Sequence, residues 1–164
     1  GLNFKRMLSI SGDSAGGALA ATVSWKAQFD SSLNINRQIL IYPCLDYTMN
    51  QKSIDENAEN YFLTKERIAW YFDNYFQRAE NRRSVSPLYG EFSSGLPKTL
   101  VISAGFDPLR DEAFRYVEKL DEADVENQHL HFEDLVHAFL FMEDMVKDEC
   151  EKLYSACGQF LNEH

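Results

Sequence analysis

A short turn of small residues lies between an apolar run and an alanine-rich run, and it constrains the fold more than any other feature. The turn is Gly12-Asp13-Ser14-Ala15-Gly16, which has the pattern G-x-S-x-G. Residues 6–11 before it are apolar and predict a buried strand, whereas residues 15–27 after it predict a helix. A serine at a strand–turn–helix junction is typical of a catalytic nucleophile. An ordinary glycine-rich turn that exposes a serine is the alternative interpretation, because so short a pattern recurs by chance.

If Ser14 is the nucleophile, each of the other residues in the turn has an expected role. Gly12, Asp13 and Gly16 would form the elbow, since small residues let the strand and the helix approach closely. The backbone N–H of Ala15 would donate to the oxyanion that forms during the reaction. The N-terminus of the helix would add a positive dipole end beside the attacking oxygen.

The rest of the chain alternates strands with helices. Three further short apolar runs predict strands at residues 38–43, 99–104 and 128–133. The last of these strands is expected nearer the edge of the sheet. Helical periodicity predicts three helices, at about 64–78 with Thr64 as N-cap, about 109–123 and about 141–161. This pattern indicates an α/β fold with three layers, α/β/α, around a mostly parallel sheet. We expect one domain over residues 1–164, in which about 46–96 is an insertion that contributes to a lid.

Composition excludes several classes of partner. The net charge is −10, from 26 acidic and 16 basic residues, and such a surface repels nucleic acid and anionic lipid headgroups. No apolar run approaches the roughly 20 residues of a membrane-spanning helix, so we expect no stable membrane insertion. The three cysteines lack metal-ligand spacing and predict reduced thiols, which favours a cytoplasmic location.

A nucleophilic serine needs an imidazole to accept its proton and a carboxylate to orient that imidazole. The acid is expected to follow a strand, because the active loops of a parallel sheet meet at its carboxyl edge. Asp107 follows the predicted strand at 99–104 and is the candidate acid. Asp46 follows another predicted strand in the same way and is the alternative, although a turn role is more ordinary there. Asp111 lies in the first turn of a helix, where a carboxylate commonly has a structural role.

Of the four histidines, His137 is the candidate base. It follows the last predicted strand on a short loop, after the serine and the acid in chain order. His129 and His131 lie on one face of a predicted strand, and a metal site would need a third ligand, which the sequence does not supply. We therefore expect a solvated or packed pair and no metal. His164 is the terminal residue.

These residues together resemble the hormone-sensitive-lipase-like family of bacterial esterases and lipases. The matching stretches are Gly12-Asp-Ser-Ala-Gly-Gly17, Leu40-Ile-Tyr-Pro43, Ser86-Pro-Leu88, Ala104-Gly-Phe-Asp-Pro-Leu-Arg-Asp-Glu112 and His137-Ala-Phe139. The resemblance spans nearly the whole chain. It implies the C-terminal part of an eight-stranded α/β-hydrolase fold and the hydrolysis of short or medium acyl esters without a cofactor.

The chain departs from this family in three places. Ala138 stands where the family has glycine after the histidine, which we expect to be a mild change, and Asp134 puts a charge three residues from His137. The family's H-G-G-G loop, which supplies further oxyanion donors, does not occur in this sequence. We therefore expect the N-terminal part of the fold to be missing, and these 164 residues alone to be weak or inactive and to self-associate.

The sequence thus predicts a serine carboxylester hydrolase that acts on small-molecule esters through an acyl-enzyme. A non-catalytic protein that binds small molecules on the same fold is one alternative, because a fold hosts unrelated functions. Hydrolysis of amides or carbamates by the same residues is another.

Overall fold

A computed structural model describes residues 7–163 of the chain. Arg6, the first residue of the first predicted strand, and the terminal His164 lie outside the described residues. Within residues 7–163, no helix is long and apolar enough to cross a bilayer.

All four predicted strands are confirmed, and they form one parallel sheet. The strands lie in the order of the sequence, β1 (Leu8–Asp13), β2 (Ile35–Ile41), β3 (Lys98–Phe106) and β4 (Asn127–Val136). Each strand pairs in parallel with the next, which makes β4 an edge strand as predicted. The carboxyl ends of β1, β3 and β4 therefore point toward one edge of the sheet, and the loop after each begins there.

The helices cover both faces of the sheet, which confirms the three-layer architecture. They are α1 (Ala15–Ala27), α2 (Ser53–Glu56), α3 (Lys65–Tyr75), α4 (Arg82–Val85), α5 (Arg110–Glu122) and α6 (Lys147–Asn162). On one face, α1 and α5 pack against Leu40 and Val101. On the other face, α6 packs against Ile39 and Ile102. Neighbouring residues of one strand therefore serve opposite layers, as expected for strands that are buried on both sides.

The sequence signals at three helices agree with the structure. The helix α1 spans the predicted residues, and small side chains such as Ala20 and Ala21 bring it close to the sheet. The predicted N-cap of α3 is confirmed, because the hydroxyl of Thr64 accepts a hydrogen bond from the Arg67 N–H at 3.2 Å. On α5, Tyr116 and Leu120 are buried on the predicted apolar face.

The predicted start of the last helix is wrong. Residues Phe139–Met142 form a 3₁₀ turn, and α6 begins only at Lys147. Val146 adopts φ −134°, which is not helical, and 82% of Met145 is exposed. The apolar spacing around Met142 and Val146 fits a 3₁₀ turn followed by an irregular segment as well as it fits an α-helix, so the pattern could not separate the two.

The three cysteines are free thiols, as predicted. Cys44 and Cys150 are buried and Cys157 is partly buried. Burial raises the pKa of the Cys44 thiol well above its ordinary value, so this side chain stays protonated at neutral pH.

Candidate active site

Ser14 lies in a strained backbone conformation between β1 and α1. Its φ of 50° and ψ of −116° are rare for a residue with a side chain. Two hydrogen bonds to neighbouring backbone hold this conformation, because the Ser14 N–H donates to the Ile41 carbonyl at 2.8 Å and the Ser14 carbonyl accepts from the Cys44 N–H at 3.2 Å. Backbone strain of this kind costs about 1–3 kcal/mol and is concentrated at functional sites.

Glycines let the strand, the helix and the next loop meet around Ser14. A Cβ on Gly12 would lie 2.2 Å from the backbone carbon of Gly16, and one on Gly17 would lie 2.8 Å from the Cβ of Pro43. A Cβ on Gly16 would meet nothing closer than 3.7 Å. The close approach therefore depends on Gly12 and Gly17, whereas a side chain at Gly16 would have space.

Three predicted residues meet at the carboxyl edge of the sheet. The hydroxyl of Ser14 lies 2.9 Å from Nε2 of His137, and Nδ1 of His137 lies 2.7 Å from Oδ2 of Asp107. The other oxygen of Asp107 accepts the N–H of Leu109 at 2.8 Å. His137 and Asp107 are only 4% and 1% exposed, so the hydrogen bond between them is shielded from water, whereas the contact with Ser14 is partly buried. Each of the three residues comes directly after the end of a strand. This explains how Ser14 and His137, which are 123 positions apart in the sequence, come within hydrogen-bond distance.

Ala15 and Asp13 flank the serine at the start of α1 and at the end of β1. Ala15 is the first residue of α1, so its N–H belongs to the group of donors that a helix leaves unused at its N-terminus. Asp13 is the last residue of β1, and its side chain lines the same cavity as Ser14.

The alternative acid, Asp46, is occupied within its own loop. One of its carboxylate oxygens accepts from the N–H and the hydroxyl of Thr48, and the other accepts from Gln51 and from Tyr89, the last two at 2.8 Å each. This bonding favours the turn role. Asp111 is also structural, because its carboxylate accepts from the Ser53 N–H at 3.0 Å.

His129 and His131 form a packed pair on the α5 side of the sheet, as expected. Nε2 of His129 and Nδ1 of His131 each lie 2.8 Å from the hydroxyl of Ser103, and the ring of Phe114 packs edge-on against both imidazoles. Burial, together with the charge of a protonated His131, lowers the pKa of His129 to about 4. In the described part of the chain, no three metal-binding side chains come together.

A cavity of about 460 Å³ opens beside Ser14 and His137. Its walls are mostly apolar, and residues 62–75 of the predicted insertion supply much of them. The aromatic helix α3 therefore has two faces, since Ile68 and Phe72 are also buried in the core whereas Tyr75 is exposed at the cavity rim. Such a cavity suits an apolar group of a small molecule bound beside Ser14.

Sequence reasoning missed two residues that shape the site. The ring of Tyr42 packs edge-on against the imidazole of His137, with 4.9 Å between the ring centroids. The buried carboxylate of Glu112 accepts the N–H groups of Leu45 and Asp46 at 2.5 and 2.8 Å, which fixes the loop after β2. Burial raises the pKa of Glu112 well above its ordinary value, although these two donors oppose that effect. An acidic side chain on the apolar face of α5 is the signal that could have identified Glu112.

Ala138 and Asp134, the two departures from the family pattern near His137, differ in their structural consequences. Ala138 adopts φ 59° and ψ 28°, a left-handed conformation that favours glycine, so this change is less mild than the sequence indicated. Asp134 is exposed and borders a separate surface depression with Glu149 and Lys152.

Comparisons with known proteins place this chain in a family. Residues 2–141 match the family described as alpha/beta hydrolase fold. The carboxylic ester hydrolase LipN of Mycobacterium tuberculosis is 34% identical over 140 residues, which cover 81% of this chain and 37% of LipN. The gibberellin receptor GID1A of Arabidopsis thaliana is 30% identical over 144 residues, which cover 81% of this chain and 40% of the receptor.

Solved structures agree with the sequence relatives. A hyperthermophilic esterase from the archaeon Pyrobaculum calidifontis superposes with a TM-score of 0.85 at 29% identity, over 93% of this chain and 51% of that one. The chain thus spans less than half the length of the two curated relatives and about half of the esterase structure. Since a family match covers most of the sequence and the fold agrees, the chain belongs to the alpha/beta hydrolase fold family, in the hormone-sensitive-lipase-like group that its motifs resemble.

Proposed function

We propose that the protein is a serine carboxylester hydrolase that acts through an acyl-enzyme. Ser14 Oγ attacks the carbonyl carbon of an ester while Nε2 of His137 takes its proton. Asp107 holds the Nδ1–H of the imidazole and stabilises its protonated form. The N–H of Ala15 donates to the oxyanion, and His137 then gives its proton to the departing alcohol. Water, deprotonated by the same imidazole, hydrolyses the acyl group from Ser14 and releases the acid.

One observation supports this proposal above the others. The continuous contact from Ser14 to His137 to Asp107, at 2.9 and 2.7 Å, opens onto an apolar cavity that can hold the acyl or alcohol group of an ester. A buried imidazole between a hydroxyl and a carboxylate is the arrangement that activates a serine. The names of the relatives in the family, among them a carboxylic ester hydrolase, point to the same chemistry.

A binding protein is the second candidate, because the relatives include gibberellin receptors. Binding alone does not require a nucleophile, a base and an acid in hydrogen-bonded order. This chain has all three, which favours the enzyme. The same residues also suit amide and carbamate hydrolysis, so substrates of those classes belong in the assay.

The proposal is tested by measuring hydrolysis of p-nitrophenyl acetate and butyrate, with p-nitroacetanilide and a p-nitrophenyl carbamate alongside. We expect Ser14→Ala to lower kcat by at least about 10³-fold, because the nucleophile is lost. Ser11→Ala is the matched control, since Ser11 lies on β1 three residues earlier and is exposed. Equal rates for the protein and its Ser14→Ala variant would contradict the proposal, whereas preference for the anilide or the carbamate would reassign the substrate class.

We also propose that these 164 residues alone turn over esters slowly. The matched region is only 37% of LipN, and the H-G-G-G sequence that supplies oxyanion donors in the family does not occur here. The absence of one such donor typically costs about 10²–10³ in kcat. Turnover by residues 1–164 at the rate of a full-length relative would contradict this part of the proposal.

A further inference from the structure

A buried amide holds the main chain of the loop that carries Asp107. The side-chain nitrogen of Asn57 donates to the carbonyl of Asp107 at 3.1 Å and is 3.5 Å from the carbonyl of Gly105. Asn57 is only 4% exposed, so water cannot readily replace these contacts. It lies directly after α2, about 50 residues before the acid in sequence.

A buried hydroxyl from the same short helix holds the other side of the loop. Ser53, which is 0% exposed, donates its hydroxyl to the carbonyl of Pro108 at 2.7 Å. The same oxygen accepts the N–H of Asp111 at 3.1 Å, and the Ser53 N–H donates to the Asp111 carboxylate at 3.0 Å. Between them, Asn57 and Ser53 contact main-chain groups both before and after the side chain of Asp107.

Neither residue touches the carboxylate itself. The oxygens of Asp107 contact His137 and the N–H of Leu109, so Asn57 and Ser53 act on the backbone from which that carboxylate projects. A hydrogen bond such as the one from His137 weakens steeply when its direction changes. Catalytic groups must be held within about 0.5 Å of the productive geometry, and a displacement of about 1 Å can cost 10²-fold in rate.

We infer that Asn57 is a positioning residue for Asp107, with Ser53 as its partner on the far side of the loop. This inference rests on the proposed function. It also connects two parts of the site, because α2 precedes α3 in the segment that lines the cavity. The segment over the cavity therefore fixes the orientation of the acid as well as the shape of the cavity.

Asn57→Ala is the first test of this role. We expect kcat for p-nitrophenyl acetate to fall about tenfold while KM changes less than twofold, because the cavity and Ser14 are untouched. Gln28→Ala is the matched control, since the Gln28 side-chain nitrogen also donates to two main-chain carbonyls, those of Trp25 at 3.0 Å and Glu91 at 2.9 Å, away from the acid. Its kcat is expected to stay within twofold of the unmodified protein.

A second readout separates positioning from general loss of structure. The proton NMR signal of the His137 Nδ1–H lies far downfield when that group donates to a carboxylate, and we expect it to move upfield in Asn57→Ala but not in Gln28→Ala. Ser53→Ala removes only one hydroxyl and replaces Asn57→Ala if the latter fails to fold. An unchanged kcat and an unchanged NMR signal in folded Asn57→Ala, or in Ser53→Ala where it is the substitute, would overturn the inference. Equal losses of kcat in Asn57→Ala and in the control Gln28→Ala would also overturn it. The signal is independent of turnover, so it tests positioning even if the protein hydrolyses no ester.

Discussion

In the described part of the chain, three of the six residues other than glycine that have a positive φ lie around one imidazole. Ser14, Tyr42 and Ala138 have positive φ angles of 50°, 34° and 59°, and all three border His137 in space or in sequence. Residues other than glycine avoid this region, and strain that persists there marks positions that the surrounding structure determines. The backbone at Ser14, at Tyr42 and directly after His137 is therefore held by the surrounding structure rather than by local preference.

Ala138→Gly tests the strain at one of these residues. Relief of the left-handed conformation is worth about 1–2 kcal/mol, and loss of a buried methyl group costs about 0.8 kcal/mol. We expect the free energy of unfolding in urea to rise slightly, by up to about 1 kcal/mol. Ala113→Gly, at an equally buried position in α5, is the control and should lower it. A decrease of more than about 1 kcal/mol for Ala138→Gly would contradict the strain argument.

The lowered pKa of His129, which is buried beside His131, predicts how the free energy of unfolding depends on pH. His129 has a pKa of about 4 when folded, against 6.5 in an unfolded chain, so the unfolded state binds more protons between these values. The contribution of neutral His129 to the free energy of unfolding is complete above about pH 6.5 and is lost as the pH falls toward 4. The charged groups nearby are His131, Glu133 on β4 and Arg110 on α5. We expect His129→Gln to reduce the loss of stability over this window, measured by urea unfolding at several pH values; an unchanged pH slope would refute the assignment.

At the scale of elements, the junction of β1 and α1 depends on the missing Cβ of Gly12 but not on that of Gly16. An added Cβ on Gly12 would collide with the backbone of Gly16, whereas one on Gly16 has space. We expect Gly12→Ala to lower the free energy of unfolding by several kcal/mol, or to prevent folding, because a helix and a strand must separate. Gly16→Ala should be neutral or raise it by up to about 1 kcal/mol, since alanine favours a helix. Similar effects of the two changes in thermal unfolding would argue against this geometry.

An element could be predicted from the sequence where its signal lies within a few neighbouring residues. The strands and α1 have local apolar patterns, and the candidate triad follows from chain order, because parallel strands bring their carboxyl ends together. The start of α6 could not be found, since 3₁₀ and α turns share much of their spacing. Asn57 and Glu112 act on backbone 48–67 residues away, so the local sequence does not indicate their partners, although the acidic side chain on the apolar face of α5 marks Glu112 itself.

At the scale of the whole molecule, the sheet edge at β1 is apolar and open to solvent. Met7 and Leu8 are 47% and 54% exposed, and β2 is the neighbour of β1 within residues 7–163. Exposed strand edges recruit other chains. We expect residues 1–164 to self-associate in sedimentation velocity experiments and Leu8→Lys to reduce this, whereas Leu161→Lys, on α6, should not. A monomer at every concentration would contradict the expectation.

The most direct test of the central claim is covalent labelling with a fluorophosphonate, which reacts with an activated serine. If His137 and Asp107 activate Ser14, intact-protein mass spectrometry should show one adduct, and peptide mapping should place it on Ser14. The label should be absent from Ser14→Ala, strongly reduced in Asp107→Asn and unchanged in Ser11→Ala. An adduct on another residue, or equal labelling of Ser14 in the protein and in Asp107→Asn, would contradict the claim that these three side chains act together.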